Sequence, residues 1–574
     1  MKKFVLLLLI NFGTFAQTYI TNVTVADVEN MKLLEGKTVI IEGDKIGGIY
    51  PATIKIPGTA HIVDGRGKFL FPGLVDAHVH FFQSGGLYTR PDAIDLRKVK
   101  PYEREMAESH ARMDNVLRRY LKLGITTVAD VGATNNFLKR RSEFQGKDHA
   151  PEVFISGPLL TTYEPPVFKG LGDDAAFRLV TTPENGRQNV REQLKLNPDF
   201  IKIWYIAEFD KMDAETGARK FLPVIQAIID EAHKNNKRVA VHATERITAQ
   251  LAVESGCDFL VHSVEDELLS PAFIKLLKSK KVSLCPTLTV MDGYERTFGL
   301  KLDGSDYLIH NSDPFQLGSL LDLHHLSDTT LVKNYVRYTN SDKQVAKVKK
   351  SNEIMLANLK ALSDAGVTIA TGTDAGNIGT LHGSSYFFEL HRMREAKISN
   401  WIILQASTIG GARMLGADGV LGSIAKGKKA NMILLDANPV ENMNNIMKIH
   451  RVINKGIVLD PSKIIEETPE ELVQRQLNAY NFRNIEAFLD TYADDVEVYD
   501  FPDKLQYRGK QQMHRIYSEM FNKVPNLHCE LLGRIVRGNI VIDNEKVRAG
   551  NETFGGAAIY HVENGKIKKV YFTL

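Results

Sequence analysis

The sequence predicts an α/β protein: a parallel (β/α)8 barrel of the TIM type carrying a composite flanking β-sandwich, followed by a separate, cone-shaped α+β domain. Three observations carry that expectation. Between residues 73 and 414, short apolar runs alternate with amphipathic helical stretches such as "FLPVIQAIIDEAHKNN" and "ITAQLAVESG", the pattern of strands and helices in a closed parallel barrel. Segments with β alternation and Gly-rich turns, 17–72 and 415–460, lie on either side of it. After a linker at 461–467 the order changes to helices first and strands afterwards, which marks an independent unit at 468–574.

At 574 residues the chain is too long for one core. It begins "MKKFVLLLLINFGTFAQ". Two lysines, an apolar run from Phe4 to Phe12 and a small residue at Ala16 read as a secretory leader cleaved after Ala16. The run is short for a bilayer span, so no stable membrane anchor is expected and the mature chain is placed in a periplasm or outside the cell. The three cysteines, Cys257, Cys285 and Cys529, are far apart and form neither a disulfide framework nor a zinc-finger spacing. Any metal site must use His and carboxylates. The net charge is +3 with both signs well mixed, and no basic stripe suggests a nucleic-acid partner.

Within the first flank, "YITNVTVAD", "KTVIIEGDKIGGIY" and "AHIVDGRGKFLFPG" read as strands joined by tight turns. The barrel strands are expected near 74–79, 125–130, 152–156, 200–205, 238–243, 258–262, 282–287 and 367–372. The connection at about 289–350 is unusually long, and such connections are usually functional; a lid over the barrel mouth is the expectation. The second flank carries "GSIAKGKKANMILLDANPV" and "IHRVINKGIVLD". In the last unit, Thr468 followed by Glu471 is a capping-box signature opening a helix.

The chemistry lies at strand ends. "GLVDAHVH" puts His78 and His80 on one strand face, two residues apart. His242 ends "VAVHATE", His262 ends "FLVHSVE" and Asp374 follows "TIATGTDAG". Lys202 sits inside the apolar run "FIKIWY", where an unpaired lysine does not belong. All six fall at or near the C-terminal ends of strands, where barrel enzymes build their sites. Asp76 is a candidate for orienting those ligands or for capping the strand end. Tyr163, Tyr205 and His382 are candidate substrate contacts; packed aromatics and a solvent-facing loop histidine are the plain alternatives.

With "FLFPGLVDAHVH" and "GSIAKGKKANMILLDANP", residues 18–460 resemble the amidohydrolase superfamily, nearest to its imidazolonepropionase-like and prolidase-like members. The resemblance implies two divalent ions, most often zinc. His78 and His80 would hold one together with Asp374, His242 and His262 would hold the other, and Lys202, carboxylated at its ε-nitrogen, would bridge them. A metal-bridging hydroxide would then cleave an amide, peptide (Xaa-Pro-type), cyclic amide or ester bond of a small molecule, with Asp374 as catalytic base and then acid. An aminohydrolase is the alternative within the superfamily, but such deaminases commonly lack the strand-four lysine. A non-catalytic periplasmic binding protein is the alternative outside it. Where prolidase-like relatives carry Gly-His-Gly after strand three, this chain has "SGPLLTTYEPPVFKG".

Residues 468–574, through "AYNFRNIEAFLDTYADDVEVYDFP", are similar to the ketosteroid-isomerase-like (SnoaL-like, nuclear-transport-factor-like) fold. That resemblance places Asp500 at the base position, with Gln476 and Tyr560 where a tyrosine and a second acid would stand. One match in three argues against isomerase chemistry and for an apolar ligand pocket, or for homo-oligomer pairing through the exposed sheet.

Overall fold

A computed structural model describes residues 17–207, 212–326, 329–524 and 526–573; the expected leader, residues 1–16, lies outside the described residues. Both flanks contribute to a single eight-stranded sheet. Its central join is antiparallel, Phe69–Pro72 from the first flank against Met432–Leu435 from the second. Ile20, Val39, Leu70, Met432 and Ile453 are buried together in its core.

Seven of the parallel strands in the middle of the chain frame the site: β1 (Leu74–Val79), β2 (Ile125–Asp130), β3 (Glu152–Ile155), β4 (Phe200–Trp204), β5 (Arg238–His242), β6 (Phe259–Val261) and β7 (Ser283–Cys285). β1 and β2 are buried at every position, as parallel strands covered on both faces must be. Ladders join β1–β2–β3 and β4–β5–β6–β7. Isolated parallel bridges link Ser156 to Phe200, Leu284 to Ile369 and Val79 to Ala375. Followed in order, these contacts lead from β1 through β7 and residues 369–375 back to β1. The third strand is interrupted at Gly157-Pro158 and resumes at Leu159–Thr161, where it pairs with β4. A proline has no N–H to extend a ladder.

The strand expected over 367–372 is not a continuous ladder, and only Ile369 makes a bridge there. The segment still bonds both neighbours: Leu284 N–H donates to the Thr368 carbonyl at 2.9 Å, and Ala77 N–H to the Thr371 carbonyl at 2.9 Å. Beyond it the backbone is drawn against β1 and β7. A Cβ on Gly372 would lie 2.4 Å from Cys285 Sγ and 2.8 Å from His78 N, so only glycine fits this approach.

The long connection is helical: α1 (Thr289–Phe298), α2 (Pro314–Leu320) and α3 (Thr330–Thr339) are its main pieces. The C-terminal unit opens with α4 (Pro469–Phe482), whose capping box is formed in both directions by Thr468 and Glu471. Helices Ile485–Asp490 and Lys510–Lys523 follow, with a six-stranded sheet running from 492 to 573. This unit does not stand apart. Leu317, Leu320 and Leu323 of the connection share one buried cluster with Leu472, Val473 and Phe488, and Asn478 Nδ2 donates to the Pro314 carbonyl at 2.6 Å. Among the described residues, no helix is long and apolar enough to cross a membrane.

Candidate metal centre

β1 delivers His78 from inside the strand and His80 just past its end. Their Nε2 atoms lie 3.2 Å apart. Asp374 Oδ1 approaches both, at 3.3 Å from His78 Nε2 and 3.0 Å from His80 Nε2. The other carboxylate oxygen is 4.0 Å from His262 Nδ1. His242 packs edge-on against His262, with ring centroids 4.2 Å apart. Lys202, 1% exposed, comes up from β4 onto the wall of the same cavity, whose volume is about 250 Å³. The two strand-one histidines, the two from β5 and β6, the lysine and the aspartate therefore meet at one end of the parallel strands.

The backbone is bent to achieve this. His262 and Asp374 have φ of 75° and 58°, and Thr287, whose hydroxyl lies 2.7 Å from His262 Nδ1, has φ of 49°. Left-handed backbone at non-glycine residues costs of order 1–3 kcal/mol each and gathers at functional sites. Asp76 holds the Asp374 loop: its carboxylate accepts from Thr373 N–H at 3.0 Å and from Thr373 Oγ1–H at 2.8 Å.

Burial sets the charge states. It drives the His78 and His242 imidazoles well below their ordinary range, helped by neighbouring cationic groups, and takes His262 down to about 4. Neutral imidazoles are what a bound cation requires. Burial also pulls the Lys202 amine from 10.5 to about 7, partly opposed by the Asp374 charge. For Asp374, burial works upward, but the close approach of the His80 ring and the Lys202 amine outweighs it and holds the carboxyl below its ordinary range, so it stays an anion.

Tyr163, Tyr205 and His382 are not brought to the cavity wall. Tyr205 is fully buried, and its hydroxyl donates to the Ala218 carbonyl, anchoring β4 to the following helix. His382 is buried between Tyr120 Oη at 2.8 Å and the Gln83 carbonyl at 2.9 Å, so both ring nitrogens are engaged. Tyr163 is an exposed loop residue. Three residues absent from the sequence reading stand nearer the chemistry. Asp130 ends β2 with Oδ1 3.8 Å from His80 Nδ1, and burial pushes its carboxyl up to about 7; its strand-end position was the available signal. Arg90 lines the cavity, clamped by both oxygens of Asp92 and donating to Asn377 Oδ1 at 2.5 Å. Tyr294, from α1, donates to the same Asn377 oxygen at 2.9 Å.

Residues 69–459 match the Amidohydrolase family. This chain belongs to that family. As an amidohydrolase it is a hydrolase of carbon–nitrogen bonds, and residues 473–570 match the SnoaL-like domain. The amidohydrolase is 22% identical to the imidazolonepropionase of Alkaliphilus metalliredigens over 461 residues, 76% of this chain and 94% of that one. It is 23% identical to the ochratoxinase of Aspergillus niger over 401 residues, 66% of this chain and 72% of the relative. Among solved structures, a Xaa-Pro dipeptidase with bound methionine superposes with a TM-score of 0.58 at 22% identity, covering 78% of this chain and 100% of the other. The A. niger ochratoxinase structure gives 0.58 at 18% identity, covering 78% and 96%. At these identities the solved structures speak for the fold.

Proposed function

We propose that the amidohydrolase is a binuclear, divalent-metal-dependent enzyme whose ring of parallel strands is a closed (β/α)8 barrel and whose last unit is an α+β cone. Its substrate would be a small molecule with an amide, peptide, cyclic amide or ester bond and an anionic group. The observation that carries this reading is the convergence of His80, Lys202, His242, His262 and Asp374 on one cavity, with His78 directly behind it against Asp374 and His80.

The donor set fits a cation. Ligand atoms of His78, His262 and Asp374 all lie within 4.8 Å of one another. Asp374 Oδ1 is buried beside two imidazole nitrogens yet lacks a well-directed hydrogen bond. His78, His80 and Asp374 would hold one ion and His242 and His262 the other, with zinc the best match to imidazole and carboxylate donors. When bound, such ions supply Lewis acidity and hydroxide at neutral pH. Lys202, with much of its amine unprotonated near neutrality, is able to add carbon dioxide at Nζ. The neutral amine adds carbon dioxide and loses one proton, giving an anionic carbamate that would serve as a ligand shared by the two ions.

The remaining work falls to the chain. Asp374, anionic and at the cavity, takes the proton of the attacking water and passes it to the leaving group. Phe82, Phe177 and Trp204 give the cavity an apolar wall on which the body of a substrate would rest. Arg90 retains N–H groups beyond those used on Asp92 and Asn377, so it suits a substrate carboxylate.

The test is metal analysis of the full chain with a hydrolysis screen over N-acyl amino acids, Xaa-Pro dipeptides, cyclic imides and lactones. The reading expects about two ions per chain and turnover of at least one class, lost with a chelator. Lys202→Ala should lose both, with partial rescue by short carboxylic acids. Full activity in the metal-free chain, or none in the zinc-loaded chain across the panel, would refute it.

A further inference from the structure

Helix α1, which follows β7, begins without a local cap. Its N-cap residue is Leu288, whose side chain accepts no hydrogen bond, so the first N–H groups of the helix need another acceptor. Glu389 supplies it from the helix Ser385–Glu395, 101 residues away from Leu288. One carboxyl oxygen accepts from Leu288 N–H at 3.0 Å and the other from Thr289 N–H at 2.8 Å. Glu389 is fully buried, so water is not at hand to replace either contact. Burial pushes the carboxyl up to about 8 against the pull of the two N–H groups, and its oxygens are able to accept in either protonation state. Three residues further on, Arg392 Nε lies 3.3 Å from Asp292 Oδ2, so the same helix grips α1 at two points.

The turn held in this way touches both halves of the metal cavity. On one side, Thr287 directly precedes Leu288. Its backbone is left-handed, with φ of 49°, and its hydroxyl lies 2.7 Å from His262 Nδ1. On the other side, α1 carries Tyr294, whose hydroxyl donates to the Asn377 oxygen that also accepts from Arg90. Glu389 itself is not on the cavity wall. A strained turn whose buried N–H groups lost their acceptor would shift to find another.

On the metal-centre reading above, which this inference needs, we propose that Glu389 is a positioning residue. From outside the cavity it fixes the 287–289 turn, and so sets both the Thr287 hydroxyl on the His262 ring and the start of the helix that bears Tyr294.

Cobalt(II) is the probe, because its visible absorption reports the geometry of its ligands. The full chain, stripped with a chelator, is titrated with cobalt in competition with a chromophoric chelator. Glu389→Gln, which keeps only one acceptor, should bind cobalt about tenfold more weakly and shift the visible spectrum. Glu389→Leu, which keeps none, should bind more weakly still. Amide exchange over residues 287–295 should quicken in both. Arg534→Met, which breaks the buried Arg534–Asp543 pair of the C-terminal unit, should leave cobalt affinity and spectrum unchanged and so controls for lost stability. Circular dichroism melts establish that each variant is folded, and either Glu389 variant stands as the test if the other does not fold. A wild type that binds no cobalt would remove the metal centre and this role with it. A wild type that binds cobalt, beside a folded Glu389 variant with the same affinity and spectrum, would overturn the positioning role alone.

Discussion

Replacing Lys202 with methionine should stabilise the metal-free enzyme while removing its pH dependence. The amine is buried, and its pKa falls from 10.5 in the open chain to about 7 in the fold. Between those values the unfolded chain binds more protons than the folded one, so stability rises with pH through this window. At pH 7 the unfolded lysine is fully charged and the folded one about half charged. The linkage integral then puts the cost of burying this group at pH 7 at about 4 kcal/mol, falling by about 2 kcal/mol on going to pH 9. Methionine has a similar length and no charge to desolvate. Both tryptophans, Trp204 and Trp401, lie between residues 73 and 414, so their fluorescence follows unfolding of that region alone. Urea denaturation of chelator-treated protein at pH 7 and 9 should therefore give the wild type a gain about 2 kcal/mol larger than that of K202M. Groups away from the amine cancel in the difference. Equal pH responses in the two proteins would mean that the amine is not held near neutrality, and the carbamate argument would lose its chemical basis.

Asp374→Asn should lower kcat by about 10²–10⁴-fold, the usual range for a lost general base; the turnover assay is paired with metal analysis to separate proton transfer from ligand loss. Thr287→Val removes the hydroxyl 2.7 Å from His262 Nδ1 and should weaken metal binding by about 10–100-fold, read by competition with a chromophoric chelator. Arg534→Met leaves Asp543, 1% exposed, without the guanidinium that holds it. It should cost about 3–5 kcal/mol by calorimetry, much of it recovered in the R534M/D543L double variant.

The strand-end groups were legible because each follows a buried apolar run, and a parallel strand presents its last residue at the same rim as its neighbours. His242 after "VAV" and His262 after "FLV" needed nothing beyond local pattern. The eighth segment was harder. "VTIATG" has strand composition, but the approach of Gly372 to Cys285 and His78 replaces a ladder with scattered bridges, a tertiary effect invisible in one run. The substrate side failed for a related reason. Tyr205 follows β4 directly, yet side chains at a strand's exit alternate in direction, and this one is drawn back toward Ala218. Arg90 and Tyr294 belong to separate connections and meet at Asn377. Their spacing along the chain carries no sign of that meeting.

The shared core of α2 and α4 has a practical meaning for anyone who would take the molecule apart. Helix α4 turns Gln476 and Tyr480 toward a cavity in the C-terminal unit while Gln474 and Asn478 press against Gly318 of the barrel connection. Leu87 N–H donates to Ser319 Oγ at 3.1 Å, and Tyr335 of α3 reaches the Ala93 carbonyl, so the segment bearing Arg90 is braced in part by α2, the helix that α4 covers. A chain cut at the 461–467 linker would thus not yield a minimal hydrolase. It would leave an apolar flank open to solvent and slacken the loop that carries Arg90.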